Sequence, residues 1–586
     1  MIRQYLLTSL LVLVGALHAD GQSSDWQQRV RYQMDIQVKA DQHRLQGSEQ
    51  ITYYNNSPDT LREIYIHLYY NAFQPHSMMA ERNRHLPDPD SRVVPRIFNL
   101  GPDEIGRYDI KSLTQDGVPL AFDIFDTVLN ASLSEPLPPG GSTTFNIQFS
   151  SQVPLLTRRG GRDNREGIDF SMSQWYPKMA EYDEHGWHAD PYVGREFYAP
   201  FGSFDVRLTL PSKYLVGATG QLQNPEEIGY GYDAAGTEGP ATESDSLTWH
   251  FAADNVHDFA WAADPDYIHD RFEGPGDTQL HLLYQPRVAD TWQRMHDWVP
   301  EILRFYNEQY GPYPYPQFTA VQAGDGGMEY PQIVFLTGRR SPQSLRGVTA
   351  HEMAHEWFYA VLANNEADHA WMDEGFTSYA TTEVTHHLTQ RPGSPSHLNS
   401  YLNIIYTQKL GLFERLNTPA DWFQTNLGYG MASYPGGAMI VDMLGGVVSD
   451  SLRDRWLKAY YREFKFTHPD PREVERLAEE VSGLRLDWFF EQWTDMTRTC
   501  DYAASALSST ASGDGYTTRV TISRKAPIVM PVDVRLRLAD GSSKWVHIPQ
   551  SIAEGHRPVP ASWTVAEPWG WTDPNTRSNS VRGPAR

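Results

Sequence analysis

The stretch AHEMAHEWF sets two histidines four residues apart, His351 and His355, with Glu352 directly after the first. On a helix, residues i and i+4 share one face about one turn apart, so both imidazoles can reach the same ion. Zinc suits such a pair, and Glu352 then stands beside the metal, where a carboxylate can take a proton from water. A solvent-facing helix with the same letters is the competing reading, and the flanks decide between them. Val348, Met353, Trp357 and Phe358 make the other sides of this helix apolar, which puts the histidines inside the protein. Polar groups buried there need partners.

A third ligand is expected from HAWMDEGFTSYATT, where Glu374 follows His355 after eighteen intervening residues. That gap has room for the first helix to finish, a polar turn at NNEAD and a second helix returning Glu374 to the histidines. Three protein ligands leave one position open, which marks a catalytic site and not a closed structural one.

These residues resemble the M1 family of zinc aminopeptidases, whose pattern is H-E-x-x-H, eighteen residues, then E inside an N/D-E-G-F run. The resemblance extends to GGMEY, similar to the family's G-x-M-E-N element, and to YPGG, similar to its Y-x-x-G element. Carried over on those positions, it implies one Zn2+ per chain on His351, His355 and Glu374, with Glu352 as the base. It also implies Glu329 as holder of the substrate's free α-amine and Tyr434 as donor to the developing oxyanion. A carboxylate pairs well with an ammonium, and a phenol can stabilise an oxyanion without changing charge. Gly326 and Gly327 would let a peptide backbone come close. Tyr429 resembles a second pocket tyrosine and reads equally as a core aromatic. Gln174 in SMSQWYP is similar to the N-terminal-domain glutamine that shapes the amine end of the family's cleft. Two positions depart from the pattern: Tyr330 replaces the final Asn of G-x-M-E-N, and Gly436 replaces the Lys of Y-x-K-G. Either departure could change which first residue is accepted, or how strictly a free amino terminus is required.

The elements that must position these residues are legible more coarsely. A chain of 586 residues exceeds what one hydrophobic core supports, and 40% hydrophobic with 21% charged residues is a folded composition. A formal net charge of -24 argues against a nucleic-acid partner. Arg3, the apolar run Tyr5 to Leu17 and the small Ala19 form a signal-peptide pattern, too short for the ~20 residues of a spanning helix. The expectation is export to the periplasm or beyond, without stable membrane insertion after cleavage. Cys500 is the single cysteine, so no internal disulfide can form, and no His or basic neighbour activates it. Oligomeric state is not legible.

Strand-like alternation at Tyr32, Met34, Ile36 and Val38, and again at Ile64, Ile66 and Leu68, predicts an antiparallel β domain over 24–270. Helical spacing at Trp292, Met295, Leu303 and Tyr306, with a bend expected at Pro300, opens a mainly α domain over 271–499 with a small sheet around FTAVQAGDGGMEYPQIVFL. Alternation at Val532, Val534, Leu536 and Leu538, followed by an Asp540-Gly541 turn, predicts a small β domain over 500–570 and a loose tail over 571–586. The fold class is thus multidomain α+β. The resemblance specifies a β saddle, a thermolysin-like catalytic domain and a small β-sandwich, without the family's large C-terminal helical domain. One further cluster, Glu181, Asp183, His185, His188 and Asp190, reads as a polar loop reaching toward the cleft or as a second metal site.

The expected function is that of an exported zinc aminopeptidase acting on peptides with a free N-terminus. The alternatives are relaxed or endopeptidase specificity, or an inactive peptide-binding homologue.

Overall fold

The computed structural model describes residues 26–324, 326–390, 397–513, 515–538, 540–553 and 562–565; the leader expected over 1–19 and the tail expected over 571–586 lie outside the described residues. The first strand, Arg29–Lys39, buries Val30, Tyr32, Met34, Ile36 and Val38 and turns the alternate side chains outward, as a half-buried strand should. It lies in the middle of an eight-stranded sheet ordered Gln221–Leu222, Ser246–Val256, Gly202–Pro211, Arg29–Lys39, Arg44–Tyr54, Ser142–Gln152, Arg107–Gln115 and Val118–Pro119. One pair departs from the antiparallel expectation. Arg29–Lys39 and Gly202–Pro211 run parallel, with Val30 opposite Gly202 and Ile36 opposite Leu208. Parallel neighbours need a long crossover, and the chain between Lys39 and Gly202 provides it.

Two four-stranded sheets and a two-stranded pair, Tyr182–Asp183 with Gly186–Trp187, complete the N-terminal domain. Buried Trp175, Tyr176 and Trp261 pack edge to face beneath them, and Tyr32 and Phe204 stack at 4.5 Å. Strand Trp261–Asp264 still belongs to this domain, whereas Ile268–Glu273 already pairs with Gln279–Tyr284 in the next sheet.

That next sheet has five strands, ordered Ile268–Glu273, Gln279–Tyr284, Gln317–Gln322, Ile333–Leu336 and Gly327–Tyr330. The three inner strands are parallel and buried, and Gly327–Tyr330 forms an antiparallel edge. Four helices pack around the site this edge faces: α1 (Met295–Gln309), α2 (Pro342–Phe358), α3 (Phe376–Leu388) and α4 (Gly437–Val448). In α1, Met295, Trp298, Val299, Ile302, Leu303 and Tyr306 are buried on one side, and the Tyr306 hydroxyl donates to the Ala350 carbonyl of α2 at 2.8 Å. Pro300 is accommodated within α1; the helical run breaks earlier, between Ala289–Trp292 and Met295.

Helix α2 starts sharply because Ser341 caps it, accepting the Ser344 N–H, and Pro342 fills the first turn where no hydrogen-bond donor is needed. Past the helices, Tyr502–Ser512, Gly515–Arg524 and Ser562–Val565 form one small sheet. Val532–Arg537 and Ser543–Ile548 form a hairpin with its own core of Val534, Leu536 and Val546. Gly541 takes φ +83° at its turn, a value glycine adopts without strain. Among the described residues, no helix is long and apolar enough to cross a membrane.

Candidate metal centre and cleft

Helix α2 delivers His351, Glu352 and His355, and the chain after it returns Glu374 to meet them. His351 Nε2 lies 3.2 Å from Glu374 Oε2 and 3.3 Å from His355 Nε2, and His355 Nε2 lies 3.4 Å from Glu374 Oε2. A tetrahedral ion with bonds of about 2.0–2.1 Å sets its donors about 3.3–3.4 Å apart, so these three atoms fit a zinc ion. The donor chemistry, two imidazoles and a carboxylate, fits it as well.

Two π-helical turns position the rest. Trp371–Gly375 carries Glu374, and Ala432–Gly436 carries Tyr434. Such turns insert one extra residue per turn and re-aim a side chain, which is why they recur at functional sites. They pack backbone to backbone here: a Cβ on Gly375 would strike Gly437, and a Cβ on Gly437 would strike the Trp371 carbonyl. The Tyr434 ring stacks on the His351 ring at 5.8 Å and 13°, which carries its hydroxyl to Glu374.

A second layer orients the imidazoles. Asp373 Oδ1 lies 2.5 Å from His355 Nδ1, and Thr381 Oγ1 lies 3.3 Å from His351 Nδ1. With Nδ1–H donating to Asp373, the Nε2 lone pair of His355 faces the ligand cluster. Burial alone would depress the His355 pKa; the Asp373, Glu329 and Glu374 carboxylates together outweigh it and hold it well above the usual value. Glu374 goes the other way: burial would raise it, but hydrogen bonds from both histidines hold it far below the carboxylate range. Asp373→Asn should therefore weaken zinc binding about 10–100-fold. Competition with a coloured chelator measures this, and wild-type affinity in the variant would leave Asp373 without that role.

A cleft of about 570 Å³ opens in front of this cluster, walled by Asp90, Arg158 and Glu196 of the N-terminal domain and by Glu329, Glu352 and Tyr434 of the catalytic domain. Glu329 sits on the edge strand, paired opposite Val334, and its position relative to α2 is fixed by Glu356. That buried carboxylate accepts the Gln332 N–H at 3.0 Å and the Tyr313 hydroxyl at 3.3 Å, tying the turn after the strand to the helix. Burial raises the Glu352 pKa well above the carboxylate range, and the neighbouring Glu329 charge and its hydrogen bond push the same way. Burial raises Glu329 too. The upward shift makes Glu352 a stronger proton acceptor than an exposed carboxylate.

The two glycines divide. A Cβ on Gly327 would run into the Glu352 carboxylate and Val348, so Gly327 is bare because the base occupies the space; Gly326 has open space around it, and its carbonyl accepts the Thr337 N–H. Gly327→Ala should displace Glu352 and lower kcat about 100-fold or more. Parallel measurement of zinc content and melting temperature separates this from unfolding, and near-normal turnover would refute it.

Tyr429 lines the cleft. Its hydroxyl donates to Glu196 Oε1 at 2.6 Å, and the Arg195 guanidinium lies over its ring at 4.2 Å. Gln174 is not among the residues lining that cleft. It is 2% exposed at φ +54°, and its Nε2 donates to Asp258 at 2.5 Å, a buried carboxylate that also takes Lys178 and Tyr176. Tyr330 and Gly436, the two departures, are buried and lie outside the cleft wall. The Glu181–Asp190 loop does not reach the cleft either: it faces a separate interdomain cavity with Asp368, His369 and His468, where His188 pairs with Asp183 at 2.7 Å. The sequence reading missed Asp373, Glu196 and Arg159. Only Asp373 left a signal, as the residue adjoining Glu374 in the D-E-G-F run.

The β domain and the helical domain over a mixed sheet, with the His-His-Glu cluster in the helical domain, form an architecture shared with solved structures. The M1 zinc metallopeptidase of Deinococcus radiodurans is similar, with a TM-score of 0.54 at 14% identity over 80% of this chain and 93% of that one. A glutamate-to-alanine mutant of that metallopeptidase, bound to a Tyr-Ser-Ala substrate, gives 0.54 at 13% identity, over 80% and 93%. Residues 295–493 match the model of the peptidase family M1 domain. Curated relatives include mouse aminopeptidase B, 28% identical over 211 residues, and rice aminopeptidase M1-C, 23% identical over 217; each alignment covers 33% of this chain. It spans 31% and 24% of those proteins, so the chain covers under a third of the length of the curated relatives it matches.

Proposed function

We propose that this protein is a zinc aminopeptidase that releases the first residue of peptides bearing a free α-amine. The observation that carries the reading is the placement of Glu329 and Glu352 in one cleft beside the His351, His355 and Glu374 donors. Zinc held by those three residues would polarise the scissile carbonyl and make a coordinated water acidic. Glu329 pairs with the substrate ammonium and so fixes the scissile bond one residue away. Glu352 accepts the proton of the attacking water and returns it to the departing amine. Tyr434, its ring held against His351, donates its hydroxyl proton in a hydrogen bond to the developing oxyanion. Export is part of the reading and is supported by the charged, apolar and small-residue order of Met1 to Ala19.

The test is one peptide presented with a free and with an acetylated N-terminus, with and without a zinc chelator. Stepwise trimming of the free peptide alone, abolished by chelation and restored by zinc, is the expected result. Equal cleavage of the acetylated peptide would replace this reading with an endopeptidase, and no zinc-dependent turnover would leave a peptide-binding homologue.

A further inference from the structure

The two-stranded pair Tyr182–Asp183 with Gly186–Trp187 borders a cavity of about 400 Å³ between the domains, apart from the catalytic cleft. Its wall is rich in carboxylates, and most of them are already committed. Asp183 pairs with His188 at 2.7 Å, Glu184 and Asp470 share Arg472, Glu463 takes Arg476, and Asp368 accepts the Asn365 amide at 2.8 Å. Glu181 is different. It is 1% exposed, its Oε1 accepts the Tyr182 N–H at 3.1 Å, and its Oε2 is buried with no hydrogen-bond partner among the described residues. That oxygen lies 3.4 Å from Nε2 of His468, a catalytic-domain residue. This nitrogen is likewise buried with no hydrogen-bond partner among the described residues, and both side chains line the cavity.

The other ring nitrogen fixes what His468 offers. Nδ1 lies 2.6 Å from the Ala363 carbonyl, which can only accept, so Nδ1 carries the hydrogen and Nε2 presents a lone pair. Burial pulls the His468 pKa down to about 4, which keeps the ring neutral at physiological pH. Two buried acceptors therefore face each other, an arrangement that is costly unless something positive stands between them. Their separation equals that of His355 Nε2 and Glu374 Oε2 in the catalytic cluster, and it is the spacing of two donors on a tetrahedral ion. We infer that Glu181 and His468 bind a second zinc ion that clasps the N-terminal domain to the catalytic domain, with water from the cavity in its remaining positions. A carboxylate beside a neutral imidazole suits zinc better than calcium or magnesium, which take oxygen ligands. A proton on Glu181 would satisfy the same pair of atoms, and the experiment separates the two occupants.

Wild type, Glu181→Gln and His468→Gln are stripped with a chelator, equilibrated with buffered zinc and analysed for metal per chain. Each variant should hold one equivalent less than wild type, and its melting temperature should rise less with added zinc. The catalytic cluster keeps its own donors in both variants, so what that cluster binds drops out of the comparison. Equal zinc content in wild type and both variants would overturn the second site and leave a proton between Glu181 and His468. Loss of an equivalent in one variant alone would overturn the pairing of the two residues. The glutamine side chain keeps the shape of Glu181, and its amide can donate to His468 Nε2, so the substitution leaves no new unmet acceptor. Should either variant fail to fold, wild type carrying one equivalent of zinc is titrated with cobalt, which the tighter-binding zinc keeps out of the first site. A visible absorption band that saturates at one cobalt per chain supports the second site, and its absence overturns it.

Discussion

Glu352→Gln lowers kcat about 10²–10⁴-fold while the protein keeps its zinc. Glutamine preserves the shape of the side chain and can hydrogen-bond Glu329, but it cannot accept the proton of water at any accessible pH. The proposed metal donors are His351, His355 and Glu374, so removing the Glu352 charge leaves that set whole. KM should move little, because the proposed partner of the substrate amine is Glu329 and not Glu352. Steady-state kinetics with metal analysis on the same preparation makes the check. Turnover within a few-fold of wild type would mean that the base lies elsewhere; loss of zinc together with activity would mean that Glu352 acts on the site's structure.

Glu329→Ala costs the enzyme its preference for a free N-terminus. Truncating one partner of a buried, hydrogen-bonded charge pair costs about 2–5 kcal/mol, a fall of roughly 30-fold to several thousandfold in kcat/KM for the free peptide. The acetylated peptide, which brings no ammonium, should lose far less, so the ratio between the two substrates is the informative quantity. Glu329 also contacts Glu352, and alanine could act through that base. Glu329→Gln separates the two effects, since the amide still reaches Glu352 but carries no charge for the ammonium. Equal losses on both peptides would place Glu329 in support of the base and not in amine recognition.

Much of the centre was legible in the chain itself, for a local reason. His351 and His355 share a face because of helical periodicity, and the apolar flanks Val348, Met353, Trp357 and Phe358 decide that this face is inside. The strand at Arg29–Lys39 and the hairpin around Gly541 follow from alternation and turn chemistry, which are also local. The parallel pairing of Arg29–Lys39 with Gly202–Pro211 was not legible, because alternation fixes which face of a strand is buried but not which distant strand lies beside it or in what direction.

The cleft is where tertiary structure decided most. Gln174 carries the right letter in the right motif, yet the buried Asp258 holds its amide off the cleft wall. Glu196 carries no motif, and only the packing of the N-terminal domain against the catalytic domain brings it to Glu329. Gly327 read from sequence as room for a peptide; in the fold, that room belongs to Glu352. The sequence by itself determined the chemistry of the metal cluster, since its ligands sit on two successive helical segments with a fixed spacing. Which carboxylates gather around Glu329 depends on contacts between residues far apart in the chain, and no local pattern encodes those.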